Sequence, residues 1–181
     1  MGAGQPREIS GGGIEYHWAR YFPDGKRLLV AANEPHGNLR LFVQAVNGGK
    51  PQPLTPEIYL RGAVISPDGS QVAGADRDNR LVVRMVDGGE ARLVTTELHG
   101  IPVGWSADGQ ALLVRDVGTR PVHVYRVDLA SGLTKIWREI GPSNPIGLQS
   151  IIRLFFAPDE RSYVYSFNRT LSKLYLVTGW K

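Results

Sequence analysis

No cysteine occurs anywhere in the chain, and that absence excludes a disulfide framework, thiolate zinc sites and a cysteine nucleophile together. No apolar run approaches the roughly 18 residues that a transmembrane helix needs, so membrane insertion by this chain is not expected. The opening stretch "MGAGQPREISGGG" lacks a basic start followed by an apolar segment and does not read as a secretory signal. Runs of like charge are also missing. The 21 Lys and Arg and 17 Asp and Glu residues leave a net charge of +4, but the arginines are scattered from Arg7 to Arg169 and interleaved with acids. That pattern describes a solvated surface, and no nucleic-acid partner is expected. Histidine is sparse. His17, His36, His99 and His123 stand in no "HExxH" or "HxH" pattern, so neither a metal nor a cofactor is expected. The "GxSxG" elbow of hydrolases is absent too, and with no acid, base and nucleophile set apparent the expectation is a chain that is not an enzyme.

What the chain does have is a repeated turn. "FPDG" at 22–25, "SPDG" at 66–69, "SADG" at 106–109 and "APDE" at 157–160 recur at intervals of about 40 to 50 residues, the blade period of a propeller. The chemistry of each copy is that of a tight hairpin. Pro23, Pro67 and Pro158 preset φ, the carboxylates of Asp24, Asp68, Asp108 and Asp159 bond the local backbone, and Gly25, Gly69 and Gly109 accept the left-handed region. Glu160 replaces that glycine in the fourth copy, so its turn either holds Glu at φ > 0, at about 1 kcal/mol, or changes type. Because every copy carries Asp where the backbone needs it, the carboxylates are assigned to turn chemistry and not to a catalytic ring. Two residues before each Pro or Ala stand Tyr21, Ile65, Trp105 and Phe156, all large and apolar.

Strand-like segments rich in β-branched and aromatic residues flank each turn, and a third follows: "LRLFVQAV", "RLVVRMV", "VHVYRV" and "KLYLV". "NGG" at 47–49 and "DGG" at 87–89 signal a second hairpin, leading to fourth strands at "PQPLT", "ARLVT" and "TKIWR". The predicted fold is therefore all-β, a β-propeller of four four-stranded antiparallel blades forming one domain over 1–181. Blade one covers 14–56, blade two 57–97, blade three 98–140 and blade four 147–181. Blade four lacks a fourth strand, whereas "GQPREIS" at 4–10 is a spare one that aligns with "GKPQPLT" and "GEARLVT". Pairing it beside the C-terminal strand, across the flexible "SGGG" at 10–13, would complete the last blade and close the ring. The alternative is that the chain is part of a larger propeller cut inside a blade.

The repeated "F/S-P-D-G" followed by "x-x-L-L-V", with "L-Y-x-V-x-x-G" in a following strand, resembles the TolB-like, WD-like propeller repeats of bacteria, over 4–181. The closing segment "SYVYSFNRTLSKLYLVTGWK" at 162–181 is also similar to the final blade of the C-terminal propeller of bacterial serine/threonine protein kinases. None of the kinase's own "GxGxxG", "HRD" or "DFG" motifs is present. The resemblance implies a non-catalytic scaffold or sensor module that binds a protein partner, as part of a larger bacterial protein, and a periplasmic or extracytoplasmic location. A small-molecule or glycan site at the central channel is the alternative.

Topology places the short turns on one face of the disc and the longer, varied loops on the other, and such loops are where binding usually resides. Candidate contacts there are His36, Asn38, Arg77, Arg120, Asn144 and Arg169. "DRDN" at 76–79 lacks the Gly and distant Glu of a calcium loop and is read as a polar hairpin. Trp18, Trp105, Trp137 and Trp180 are assigned to packing between blades.

Overall fold

The computed structural model describes residues 5–9, 13–56 and 60–179. The described elements are all strands. β1 (Glu15–Tyr21), β2 (Arg27–Asn33), β3 (Arg40–Ala45) and β4 (Gln52–Pro53) form the first antiparallel sheet. β5 (Arg61–Ile65), β6 (Gln71–Ala75), β7 (Arg80–Met85) and β8 (Arg92–His99) form the second. The third contains β9 (Ile101–Trp105), β10 (Ala111–Arg115), β11 (Val122–Asp128) and β12 (Thr134–Ile140). β13 (Leu148–Phe156) and β14 (Tyr163–Arg169) form a two-stranded fourth sheet. Within each sheet sequential strands are neighbours, the meander expected of a propeller blade.

The second strand of each of the first three sheets explains why the sheets stack. β2, β6 and β10 are nearly continuous apolar runs buried on both faces. Since side chains alternate across a strand, such a run needs a neighbour on either side. Leu29, Ala31 and Leu41 of the first sheet pack with Leu60, Ala63 and Val72 of the second. Val64, Ala73 and Leu81 of the second meet Trp105, Leu112 and Val114 of the third. Leu113, Val122, Val124 and Ile140 of the third meet Ile151 and Leu154 of the fourth. The core is thus three seams between sheets. Trp105 crosses one of them, donating from Nε1 to the Val64 carbonyl at 3.1 Å.

All four repeated turns have the same hydrogen bonds. Gly25, Gly69, Gly109 and Glu160 donate to the carbonyls of Phe22, Ser66, Ser106 and Ala157 at 2.9 to 3.0 Å. Their φ values are 64°, 73°, 69° and 58°, so Glu160 keeps the turn type and sits in the left-handed region. Asp24, Asp68, Asp108 and Asp159 each accept from the backbone N–H two residues on. The turns also stack. A Cβ on Gly69 would lie 3.4 Å from the Pro23 ring, and one on Gly109 would lie 3.8 Å from the Pro67 ring.

The structure departs from the sequence expectation at the edges. β4 is two residues long, because Pro51 and Pro53 have no N–H to donate to a ladder. "KLYLV" at 173–177 forms no strand, and Leu174 is 100% exposed. Residues 5–9, the described part of the spare N-terminal segment, are not paired beside β14. Instead Ile9, together with Ile14 and Val46, packs on Leu28, Val30, Ala32 and Phe42 at the outer face of the first sheet. Arg7 Nη2 anchors the segment on the Val46 carbonyl at 2.5 Å. The physical reason is that this outer face is as apolar as the seams, and Ile9 covers it. Gly4, Ser10 and Trp180 lie outside the described residues. Among the described residues no strand pairing joins the first sheet to the fourth.

Candidate ligand-binding face and central channel

The six loop residues singled out by sequence are all exposed. His36 and Asn38 share the turn after β2, where His36 takes φ 61°. Arg77 lies in the turn after β6, which Asp76 organises by accepting from the N–H groups of Asp78 and Arg80 at 2.9 Å. Arg120 precedes Pro121 through a cis peptide bond. Asn144 and Arg169 are brought together: Arg169 Nη2 donates to the Asn144 carbonyl at 2.5 Å, and its guanidinium lies over Phe167. These loops join the start of the innermost strands. Arg61 Nη1 donates to Asn79 Oδ1 at 2.8 Å, Gly100 N donates to the Asn79 carbonyl, and Thr170 N donates to the Gly147 carbonyl. Among the described residues, no hydrogen bond or ion pair links His36, Asn38, Arg77 and Arg120 to one another.

Two further groups emerge that sequence reading missed. The first is the central channel. The innermost strands β1, β5, β9 and β13 converge on it, and Arg20 stands over the Phe155 ring with 5.6 Å to its centroid, joining β1 to β13. A cavity of about 180 Å³ there is lined by Arg20, Arg61, Arg115 and Arg153 beside Gly62, Ile101 and Phe155. A neighbouring space of about 460 Å³ shares Arg20, Gly62, Arg153 and Phe155 and adds Trp18. Gly62, at φ 62°, is required here, because a Cβ would come within 2.3 Å of Ile101 Cγ2 and 2.6 Å of the Pro102 carbonyl. Arginines that are scattered along the chain therefore cluster in space, with Arg20 and Arg115 half-buried and Arg61 and Arg153 exposed. Burial first, and the nearby Arg61 charge second, hold Arg115 below its ordinary pKa, with Asp116 opposing. The only available sequence signal was an Arg on the innermost strand of three blades.

The second group is a clip between the third and fourth sheets. Glu160 Oε1 accepts from Ala107 N at 2.8 Å, Oε2 accepts from Arg126 Nη1 at 2.9 Å, and its carbonyl accepts from Arg138 Nη2 at 3.0 Å. Its place as the odd residue in a repeated turn was the visible clue. His123 is also held, between Asp116 at 3.0 Å and Glu139 at 3.4 Å.

No family model and no curated protein matches the chain. Solved structures do. TolB from Acinetobacter baumannii superposes with a TM-score of 0.66 at 16% identity, over 87% of this chain and 39% of that one. A TolB-type protein of Agrobacterium tumefaciens gives 0.58 at 23% identity, over 84% and 53%. An oligogalacturonate lyase solved with manganese gives 0.56 at 14% identity, again over 84% and 53%. The chain spans about half the length of such structures or less. A prolyl endopeptidase is similar as well, with a TM-score of 0.52 at 18% identity. The expectation that the chain is not an enzyme is overturned by these neighbours, since a lyase and a peptidase carry the same fold and missing sequence motifs do not exclude catalysis on it. In fold, the chain is a β-propeller similar to the TolB structures.

Proposed function

We propose that the chain is an interaction module that binds a protein partner through its long-loop face, as part of a larger bacterial protein. The observation that carries this reading is the contrast between rigid seams and irregular loops. His36, Asn38, Arg77, Arg120, Asn144 and Arg169 are exposed on connections anchored to stacked sheets, the arrangement in which loops specify recognition while the scaffold stays fixed. The TolB structures support the same reading at the level of fold. Attachment to a kinase domain, suggested by the segment 162–181, belongs to the proposal as well.

The test is cross-linking of the full chain to its cellular partners, followed by alanine replacement of the six loop residues. The replacements are expected to leave the melting temperature within about 2 °C, since exposed substitutions typically change stability by no more than 0.5 kcal/mol, while weakening the captured partner. Equal weakening by Lys26→Ala and Asp87→Ala, on the opposite turns, would refute the assignment.

A further inference from the structure

We propose that Arg20, Arg61, Arg115 and Arg153 form a binding site for a small polyanion, a molecule bearing two or more carboxylate or phosphate groups, in the central channel. All four sheets contribute: Arg20 from β1, Arg61 from β5, Arg115 from the end of β10 and Arg153 from β13. Among the described residues, no carboxylate lines either of the two connected spaces.

Outside the channel, Arg27, Arg40, Arg80 and Arg126 sit on Asp24, Glu34, Asp76 and Glu160 at 2.6 to 2.9 Å, whereas Arg92, Arg138 and Arg169 donate to backbone carbonyls. In the channel, Arg61 donates to the neutral Asn79 side chain, and Arg115 donates to the Ile151 carbonyl at 3.4 Å, with the Asp116 carboxylate near enough to offset part of its charge. Among the described residues the Arg153 side chain makes neither an ion pair nor a hydrogen bond.

Like charges gathered in a groove with low-dielectric walls repel more strongly than they would in open water and focus a positive potential into the groove. An anion placed between them relieves that repulsion. Guanidinium forks match carboxylate and phosphate oxygens two at a time, so such a ligand gains directional bonds in addition to charge. The combined space suits a small molecule, and Trp18, Ile101 and Phe155 offer apolar walls for its uncharged part. The site uses none of the six loop residues and stands or falls separately from the protein-binding reading.

Citrate and tripolyphosphate, titrated into the full chain by calorimetry at constant ionic strength against sodium chloride, test the proposal. A saturable response to either one is expected. Citrate alone would identify carboxylates as the preferred group, and tripolyphosphate alone would identify phosphates. The pair Arg61→Gln and Arg153→Gln is expected to weaken binding at least about tenfold, the loss of charge-assisted bonds. Arg61→Lys with Arg153→Lys keeps the charges, guards against a folding defect, and is expected to weaken binding by a smaller factor through loss of the planar fork. No saturable response to either anion, or unchanged affinity in the lysine pair together with any folded glutamine pair, overturns the proposal.

Discussion

At the scale of single residues, the turn aspartates repeat one solution. Asp68 accepts from Ser66 Oγ, Ser70 N and Ser70 Oγ at 2.5 to 3.0 Å, and these bonds hold its carboxyl down at about 2. Asp108 is lowered by the equivalent bonds from Ser106 and Gln110, and Asp24 by Lys26 N and the Arg27 side chain. A carboxyl whose pKa is depressed in the folded state binds its proton more readily when unfolded. Its contribution is therefore complete above the ordinary value of 3.8 and is lost as pH falls through about 2. The urea midpoint should decline across that window, and Asp68→Asn should flatten the decline; an unchanged slope in the variant would contradict this account. This chemistry was legible in the sequence because a turn is a local object, and Ser66, Asp68 and Gly69 lie within four consecutive residues. The arginine channel was not. Arg20, Arg61, Arg115 and Arg153 meet only because the sheets are arranged radially, and no spacing along the chain announces that.

At the scale of the element, the fourth turn shows how an exception is stabilised. Glu160 at φ 58° accepts backbone strain that a glycine would avoid. In return its side chain and carbonyl take three hydrogen bonds from the third sheet. Charge-assisted bonds of this kind contribute about 1.5 to 3 kcal/mol, against about 1 kcal/mol for the strain. Glu160→Gly is thus expected to destabilise by about 1 kcal/mol, read from equilibrium unfolding, even though it restores the repeat; a more stable variant would refute the clip. The substitution was visible in the sequence, but its partners Ala107 and Arg126 belong to another blade and were not. The same limit applies to the strands at the ends. The residues at 173–177 have the composition of a strand, yet composition does not supply a neighbour to pair with, and Leu174 and Tyr175 remain exposed. Likewise Ile9 could be read as part of a pairing strand or as an apolar cover, and only the tertiary arrangement decides for the cover.

Across the whole molecule, stability comes from the seams, since each sheet buries its faces mainly against its neighbours. The two ends of the array differ. The first sheet is covered on its outer side by Ile9 and Ile14, whereas the fourth leaves Ile152, Val164 and Phe167 exposed and has two strands. Local opening should accordingly begin at the fourth sheet. Hydrogen exchange is expected to be fastest at the amides of β13 and β14 and slowest at β6 and β10, each flanked by packed sheets; the reverse order would contradict this view of the array. A different consequence follows from the way Pro23 rests on Gly69 and Pro67 on Gly109. The first three copies meet through one and the same joint, so a genetic duplication of the second unit would meet familiar surfaces before and behind it. Growth by copying whole units requires no new contact to be invented.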